Sequence, residues 1–200
     1  MSNILFDLSG KIKDHAHIDA LYAIKKTADS LSIPFFIIGA SARDYILAHC
    51  YDIKPLRMTT DIDLGVEVAD WEQFRKLTEG LLATGRFITT REKQRLLFGN
   101  VRVDIIPFGA IADKGKKIAW PPDQKFIMSM LGFQEAYDYS ITVRLSREPA
   151  LDIKLPTLPG LAIMKIISWK EKYPGRQKDA EDLLFIMHKY EDAGNSERLY

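Results

Sequence analysis

The chain has 200 residues, of which 46% are hydrophobic and 28% are charged, and its formal net charge is +1. These are ordinary globular values at a length that buries a sizeable core, which excludes a disordered or fibrous chain. The small net charge gives no overall attraction for nucleic acid. A single cysteine, Cys50, excludes an internal disulfide framework, and no run reaches the roughly 18 apolar residues of a membrane span. We therefore expect a cytoplasmic protein without membrane association.

The first elements are a helix and a strand-to-helix turn. Apolar residues at helical spacing predict an amphipathic helix over residues 13–31, and the run at 34–38 predicts a buried strand that breaks at Gly39. Small residues in such a turn let a phosphate approach free backbone N–H groups and the positive end of the following helix. Gly39, Ala40 and Ser41 are thus candidate nucleotide-binding residues, with the Ser41 hydroxyl as a donor. The alternative is an ordinary tight turn.

Two carboxylates, Asp61 and Asp63, are embedded in the apolar run of residues 60–66. If this run is a β-strand, its period of two puts both carboxylates on one face and the apolar side chains on the other. The alternative is that both acids face solvent on an edge strand. Next along the chain, Asp70 can cap a helix whose apolar stripe belongs in the core.

A third carboxylate, Asp104, lies in the apolar run of residues 101–108. Gly99-Asn100 is a hairpin signal, so this run is predicted to pair antiparallel with residues 95–98. Should the Asp104 strand also neighbour the strand of Asp61 and Asp63, the three carboxylates converge. Their mutual repulsion is relieved by a hard divalent cation, which takes oxygen ligands. We therefore predict a site for two Mg²⁺ ions, or for Mn²⁺, held by these three acids.

The last part of the chain is predicted to be mainly helical. Two strands and two helices are expected at residues 139–145, 151–155, 159–172 and 178–190. The proline-rich stretch 155–160 separates the helices from the α/β part, which predicts a core over residues 1–156 and a helical C-terminal part over residues 157–200. The final residues, 194–200, have the pattern of a loop and a helix that has barely begun, as expected of a fragment of a longer chain.

One lysine in these helices is out of place in its apolar surroundings. Lys165 interrupts a hydrophobic run, so it either reaches along the surface to solvent or meets an anion. In the next helix Arg176, Asp179 and Asp182 recur at intervals of three and share a face. The alternative for that face is simple solvation.

These motifs together resemble the nucleotidyltransferase superfamily that includes DNA polymerase beta. The resemblance rests on Ile38-Gly39, on Asp61-x-Asp63 and on Asp104, with Ala40 as a departure from the second small residue of the superfamily's Gly-Gly or Gly-Ser pair. The stretch from Gly39 to Arg43-Asp44 is also similar to the tRNA CCA-adding enzymes and bacterial poly(A) polymerases. Those enzymes carry an RNA-binding body for which 200 residues leave little room.

The C-terminal pattern narrows the resemblance. Lys165, followed by Arg176-x-Lys178-Asp179-x-x-Asp182-Leu183, resembles the AbiEii-type nucleotidyltransferases, the toxin halves of some abortive-infection toxin–antitoxin systems. The resemblance implies an α/β fold of the α+β type, with a small mixed or antiparallel sheet flanked by helices. It implies transfer of a nucleoside monophosphate from an NTP such as ATP or GTP to a hydroxyl of RNA, tRNA or protein, and an antitoxin protein as partner.

The resemblance also assigns roles to residues. The implied catalytic residues are Asp61, Asp63, Asp104 and Lys165, and the first three are the metal ligands. The implied nucleotide-binding residues are Gly39, Ala40, Ser41, Arg43, Lys165 and Asp179. Two other readings stay open: a nucleotide-binding or partner-binding module of the same fold that no longer catalyses, and an enzyme that modifies a small hydroxylated molecule, as antibiotic nucleotidyltransferases do.

Overall fold

The computed structural model describes residues 4–55, 57 and 59–198. The strands are β1 (Ile4–Asp7), β2 (Phe35–Ile38), β3 (Ile62–Glu67), β4 (Phe87–Thr89), β5 (Arg95–Phe98), β6 (Val101–Phe108), β7 (Lys117–Ala119), β8 (Ile127–Ser129), β9 (Ile141–Arg147) and β10 (Ala150–Leu155). The helices are α1 (His15–Ser30), α2 (Gly39–Asp44), α3 (Trp71–Ala83), α4 (Phe133–Asp138), α5 (Leu158–Lys172) and α6 (Gln177–Lys189). A π-helical turn, Tyr45–Cys50, continues α2, and short turns at Glu191–Asn195 and Ser196–Arg198 follow α6.

The central sheet has five strands in the order β2-β3-β6-β5-β4. Strands β3 and β6 are parallel and the other neighbours are antiparallel, so the sheet is mixed as predicted. The predicted β5–β6 hairpin is confirmed, as is the adjacency of the Asp61–Asp63 strand and the Asp104 strand. In their register Asp63 lies directly opposite Asp104.

The main core lies between one face of this sheet and helices α1 and α3, which also contact each other. Alternate residues of β3 point into it: Ile62, Leu64 and Val66 are fully buried. The predicted start of α3 is confirmed, because the Asp70 carboxylate accepts a hydrogen bond from the Gln73 N–H at 2.8 Å. This burial on one face leaves the opposite face of β3 and β6 for the carboxylates.

A second, three-stranded sheet has the order β1-β9-β10. The strands predicted at residues 139–145 and 151–155 are confirmed as β9 and β10; they lie outside the central sheet, and β10 packs beside β2. Strand β1, which pairs parallel to β9, was not expected from the sequence. Its four residues alternate between half-buried and exposed, and such a short run carries little periodic signal.

The two C-terminal helices are confirmed close to their predicted bounds. Helix α5 begins at a Thr157 cap, whose hydroxyl accepts from the Gly160 N–H, and carries Pro159 in its first turn. Helix α5 packs against α2, α4 and α6, so the predicted C-terminal part contacts the core directly. The division at residue 156 stays a prediction. Within the described ranges, no helix combines the length and apolar character needed to cross a membrane.

Candidate functional site

The centre of the candidate site is the pair formed by Asp63 on β3 and Asp104 on β6. These strands are adjacent and parallel, the two residues are register partners, and Asp61 immediately precedes β3. The pKa of Asp63 is raised to about 6, mainly by burial and then by the nearby charges of Asp104 and Asp61, against the opposing effect of Lys165. The other two predicted acids and Lys165 therefore lie close enough to Asp63 to change the pKa of its carboxyl group.

The turn at Gly39 packs directly against Asp63. Gly39 has φ +66°, and a Cβ built on it would lie 2.4 Å from the Asp63 Oδ2 atom. The backbone N–H of Ala40 donates a hydrogen bond to the same carboxylate. Only glycine combines this backbone conformation with this close approach. The predicted phosphate turn and the predicted metal-binding strand are thus brought into contact.

Ser41 holds this turn to the sheet. Its buried hydroxyl donates to the Ile38 carbonyl at 3.0 Å and accepts from the Asp63 backbone N–H at 3.3 Å. The hydroxyl is therefore used inside the protein, in fixing the position of β3 relative to α2. Direct phosphate contact by Ser41 stays a prediction that nothing in this geometry tests.

Arg43 is fully buried and joins α2 to α6. Its guanidinium contacts the carboxylates of Asp44 and Asp182 and donates to the Arg57 carbonyl at 2.8 Å. Such a buried cation is stable only because its partners and hydrogen bonds replace water. Arg43 therefore positions α2, the helix that begins at the turn. Its predicted effect on nucleotide binding would be indirect, through the position of that helix.

Lys165 meets anions, which is the second of the two alternatives that its apolar surroundings allowed. Its buried Nζ atom donates to Asp179 Oδ1 at 2.7 Å and lies 2.8 Å from Asp182 Oδ2, forming an ion pair there without hydrogen-bond alignment. The ammonium also lowers the pKa of Asp63. The lysine thus stands between the α6 carboxylates and the central acids.

The α6 face predicted to carry Arg176, Asp179 and Asp182 is directed inward rather than solvated. Both aspartates are buried, and Asp179 accepts from the Ser168 hydroxyl at 2.9 Å and from Arg176 at 3.2 Å. Burial opposes the charged form of Asp179, but Lys165 and these hydrogen bonds outweigh it and lower the pKa. Asp179 is therefore held as a carboxylate that fixes the Lys165 ammonium.

Sequence reasoning missed three arginines. Arg57 donates to Asp182 Oδ1 at 2.6 Å, from a loop whose partner lies far along the chain. Arg95 donates through Nε and Nη2 to the two oxygens of Asp104, at 2.7 and 2.8 Å. Arg102 donates through Nε to Asp61 Oδ1 at 2.8 Å. Both outer acids of the predicted metal site therefore carry a guanidinium partner.

The donor set fits a hard cation in kind. Carboxylate oxygens are the ligands that Mg²⁺ prefers, and crowding of three such groups is relieved by a cation. As placed, however, no three His, Cys, Asp or Glu side chains among the described residues converge enough to enclose a metal ion. The carboxylates of Asp104 and Asp61 are instead paired with Arg95 and Arg102.

An open cavity of about 590 Å³ lies elsewhere, on the outer side of α3. Its lining includes Trp71, Phe74 and Trp120, and none of the predicted site residues takes part. Phe74 and Trp120 are buried and pack edge-to-face at 5.6 Å between ring centroids. These rings serve the core, as predicted for the apolar stripe of α3.

The similarity of this chain to known proteins lies in its fold. No protein-family model matches the chain, and a search of curated proteins finds no match. Among solved structures, the chain is similar to an antigenic nucleotidyltransferase-like protein from Paracoccidioides brasiliensis, with 16% identity and a TM-score of 0.52 over 87% of this chain and 76% of that one. The chain has a nucleotidyltransferase fold.

Two further structures match with lower TM-scores. The antibiotic-resistance factor ANT(2'')-Ia has 16% identity and a TM-score of 0.49 over 90% of this chain and 89% of that one. The lincosamide antibiotic adenylyltransferase LnuA, solved with lincomycin bound, has 14% identity and a TM-score of 0.45 over 84% of this chain and 95% of that one. The AbiEii-type resemblance stays a prediction.

Proposed function

We propose that the protein is a metal-dependent nucleotidyltransferase that moves a nucleoside monophosphate from an NTP to a hydroxyl acceptor. The observation that carries the proposal is the register pairing of Asp63 with Asp104 on parallel strands, with the Gly39 turn packed against Asp63. Like charges placed directly opposite each other on a sheet are destabilising. A half-buried carboxylate whose pKa is raised, with two other acids beside it, is an arrangement that ligand binding explains better than folding does.

The proposed metal site uses Asp61, Asp63 and Asp104. They would hold two Mg²⁺ ions, or Mn²⁺, which when bound neutralise phosphate charge and lower the pKa of the acceptor hydroxyl. The backbone of the turn at Gly39 and Ala40 is the proposed contact for the β and γ phosphates. Lys165, paired with Asp179 and Asp182, supplies a further positive charge.

The reaction is a single displacement at the α-phosphorus. The acceptor oxygen forms a bond to phosphorus as the bond to the bridging oxygen of pyrophosphate breaks, and pyrophosphate leaves with the electron pair. The proton of the acceptor hydroxyl passes to a carboxylate. Asp104 is the proposed proton acceptor because it belongs to the same cluster and its side chain is partly exposed to solvent.

The acceptor and the biological setting are proposed from the sequence resemblance. The AbiEii-like pattern around Lys165 and Asp179 favours RNA, especially tRNA, or protein as acceptor, and a toxin held in check by an antitoxin protein. Such an enzyme would act in the cytoplasm, where NTPs and Mg²⁺ are supplied. A small hydroxylated acceptor and a non-catalytic nucleotide-binding module are the competing functions.

The test is transfer of label from each of the four NTPs, labelled at the α-phosphate, to three acceptor pools: total tRNA, protein, and small hydroxylated compounds. We expect Mg²⁺-dependent label in one pool, lost in both Asp63→Asn and Asp104→Asn. Label on a small molecule alone would replace the RNA or protein proposal. Binding of Mg²⁺·NTP without label in any pool would favour the non-catalytic module.

A further inference from the structure

Each outer acid of the carboxylate cluster is paired with an arginine from the same face of the central sheet. Arg95 on β5 is the register partner of Asp104, and its guanidinium covers both oxygens of that carboxylate. Arg102 lies two residues before Asp104 on β6 and reaches Asp61. Two cations thus partly neutralise three acids.

We propose that Arg95 and Arg102 are exchangeable counter-ions: each releases its carboxylate when metal and NTP bind, and then contacts phosphate oxygens. The proposal rests on the proposed nucleotidyltransferase function. It assigns to these two arginines the neutralisation of the acids before the metal binds and the binding of the triphosphate afterwards.

The charge of the arginines and their hold on the carboxylate oxygens both oppose metal binding. A metal ion bound with both guanidiniums in place would sit within a few ångströms of two further positive charges, and that repulsion weakens binding. The bidentate pair also occupies lone pairs on both oxygens of Asp104, which the metal must share or take over. Release of the arginines removes both obstacles.

Both arginines are partly exposed to solvent. The side chain of Arg95 is 24% exposed and that of Arg102 is 52% exposed, so water can reach each guanidinium when its pair opens. Arg43 provides the contrast, because it and its partner Asp182 are each only 1% exposed. Breaking the Arg43 pair would leave a buried charge, so Arg43 is fixed while the two arginines of the sheet face can exchange.

The released guanidinium groups are suited to binding phosphate. A guanidinium binds phosphate oxygens through two parallel N–H donors as readily as it binds a carboxylate. The triphosphate, brought in with the metal, therefore offers Arg95 and Arg102 new anionic partners beside the ones they leave. Metal entry and nucleotide binding would be coupled through the same two side chains.

The experiment measures Mn²⁺ binding without nucleotide, from the electron paramagnetic resonance signal of free Mn²⁺, for the full chain and for Arg95→Met and Arg102→Met. Removing one like charge near the metal should tighten Mn²⁺ binding about tenfold. The same variants should bind NTP about tenfold more weakly when Mn²⁺ is saturating, because a phosphate contact is lost. The matched control is Arg144→Met, since Arg144 donates to both oxygens of Asp152 at 2.7 and 2.9 Å in the other sheet. That variant should bind both ligands as the unchanged chain does.

Unchanged or weaker Mn²⁺ binding in Arg95→Met and Arg102→Met would overturn the inference, since the arginines would then hold the acids in place for the metal. If the unchanged chain and both variants bind Mn²⁺ equally well, the proposed function stands but the proposed exchange of the arginines is wrong. If neither the unchanged chain nor any variant binds Mn²⁺, the metal site itself is wrong. Thermal unfolding checks that the variants fold, and the more exposed Arg102→Met carries the test if Arg95→Met does not.

Discussion

The same ion pair occurs once in each of the two larger sheets. Arg95 and Asp104 face each other across β5 and β6, and Arg144 and Asp152 face each other across β9 and β10; both are antiparallel register partners joined by two hydrogen bonds. Their geometry is nearly identical. The difference lies in what stands beside each pair.

In the three-stranded sheet, charges of opposite sign alternate. Arg144 lies between Asp152 on β10 and Asp7 on β1, and Arg147 donates to Asp7 as well. In the central sheet, Asp104 has Arg95 on one side and another acid, Asp63, on the other. Folding alone favours the first arrangement and disfavours the second. An Arg–Asp pair by itself therefore says little about function, whereas two acids in register indicate a ligand.

The largest effect that separates the two sheets is expected from their paired aspartates. Asp104→Asn should lower kcat/KM for nucleotide transfer at least a thousandfold, about 4 kcal/mol, because it removes the proposed metal ligand and proton acceptor. Asp152→Asn, which breaks the matching pair, should leave transfer within about twofold. Steady-state kinetics with the identified acceptor gives both values. Equal losses would remove the distinction between the sheets.

The next effect concerns the turn against Asp63. Gly39→Ala should lower the free energy of unfolding by roughly 3 kcal/mol, since the new methyl group meets a carboxylate oxygen at 2.4 Å and the backbone is held at positive φ. Gly85→Ala is the control, because Gly85 has nearly the same φ, +68°, with nothing within 4 Å of the added Cβ. That change should cost about 1 kcal/mol, from backbone strain alone. Urea unfolding measures the difference, and equal costs would mean that Gly39 is not packed on the site.

The pH dependence of stability should show the effect of Asp63. Because its folded-state pKa is raised to about 6, the folded protein binds this proton more tightly than the unfolded chain. The resulting stability is present below about pH 4 and is lost as the pH rises through 6, to a total of roughly 3 kcal/mol. Without metal, Asp63→Asn should therefore gain stability relative to the unchanged chain between pH 4 and pH 8. A parallel pair of stability curves would contradict the assigned pKa shift.

The smallest effect has the opposite sign and comes from the three-stranded sheet. Hydrogen bonds from Ser9, then from Arg147, hold the pKa of Asp7 well below its usual range. This stability is present above about pH 4 and is lost as the pH falls, so Asp7→Asn should be most destabilising at neutral pH and least so in acid. The same unfolding series measures it. If stability instead changed with pH in the direction expected for Asp63, the acids of the two sheets would respond to pH in the same way.

Much of the central sheet could be predicted because its signals are local. The Asp70 cap, the Gly99-Asn100 turn and the break at Gly39 each depend on a few consecutive residues. The pairing of Arg95 with Asp104 was within reach as well, since counting outward from the Gly99-Asn100 turn places these two residues opposite each other. Asp104 stands out in the sequence by its charge, and charge alone does not indicate its partner across the hairpin.

Other features could not be read from the sequence because they depend on distant segments. The separation of β9 and β10 into a second sheet is decided by pairing with β1, at the other end of the chain. The contact of Arg57 with Asp182 joins residues 125 positions apart. The inward direction of Asp179 and Asp182 depends on how α6 packs on α5, which helical periodicity alone leaves open.

The most direct test of the central claim is thermal unfolding with each of the four NTPs, with and without Mg²⁺, for the unchanged chain and for Asp61→Asn/Asp63→Asn. A nucleotide at 100 times its Kd should add about 2.7 kcal/mol to the free energy of unfolding. We expect this gain for at least one NTP, only with Mg²⁺ and only in the unchanged chain. A gain that persists without Mg²⁺ or in the double variant, or no gain with any NTP, would contradict a metal-nucleotide site at these carboxylates.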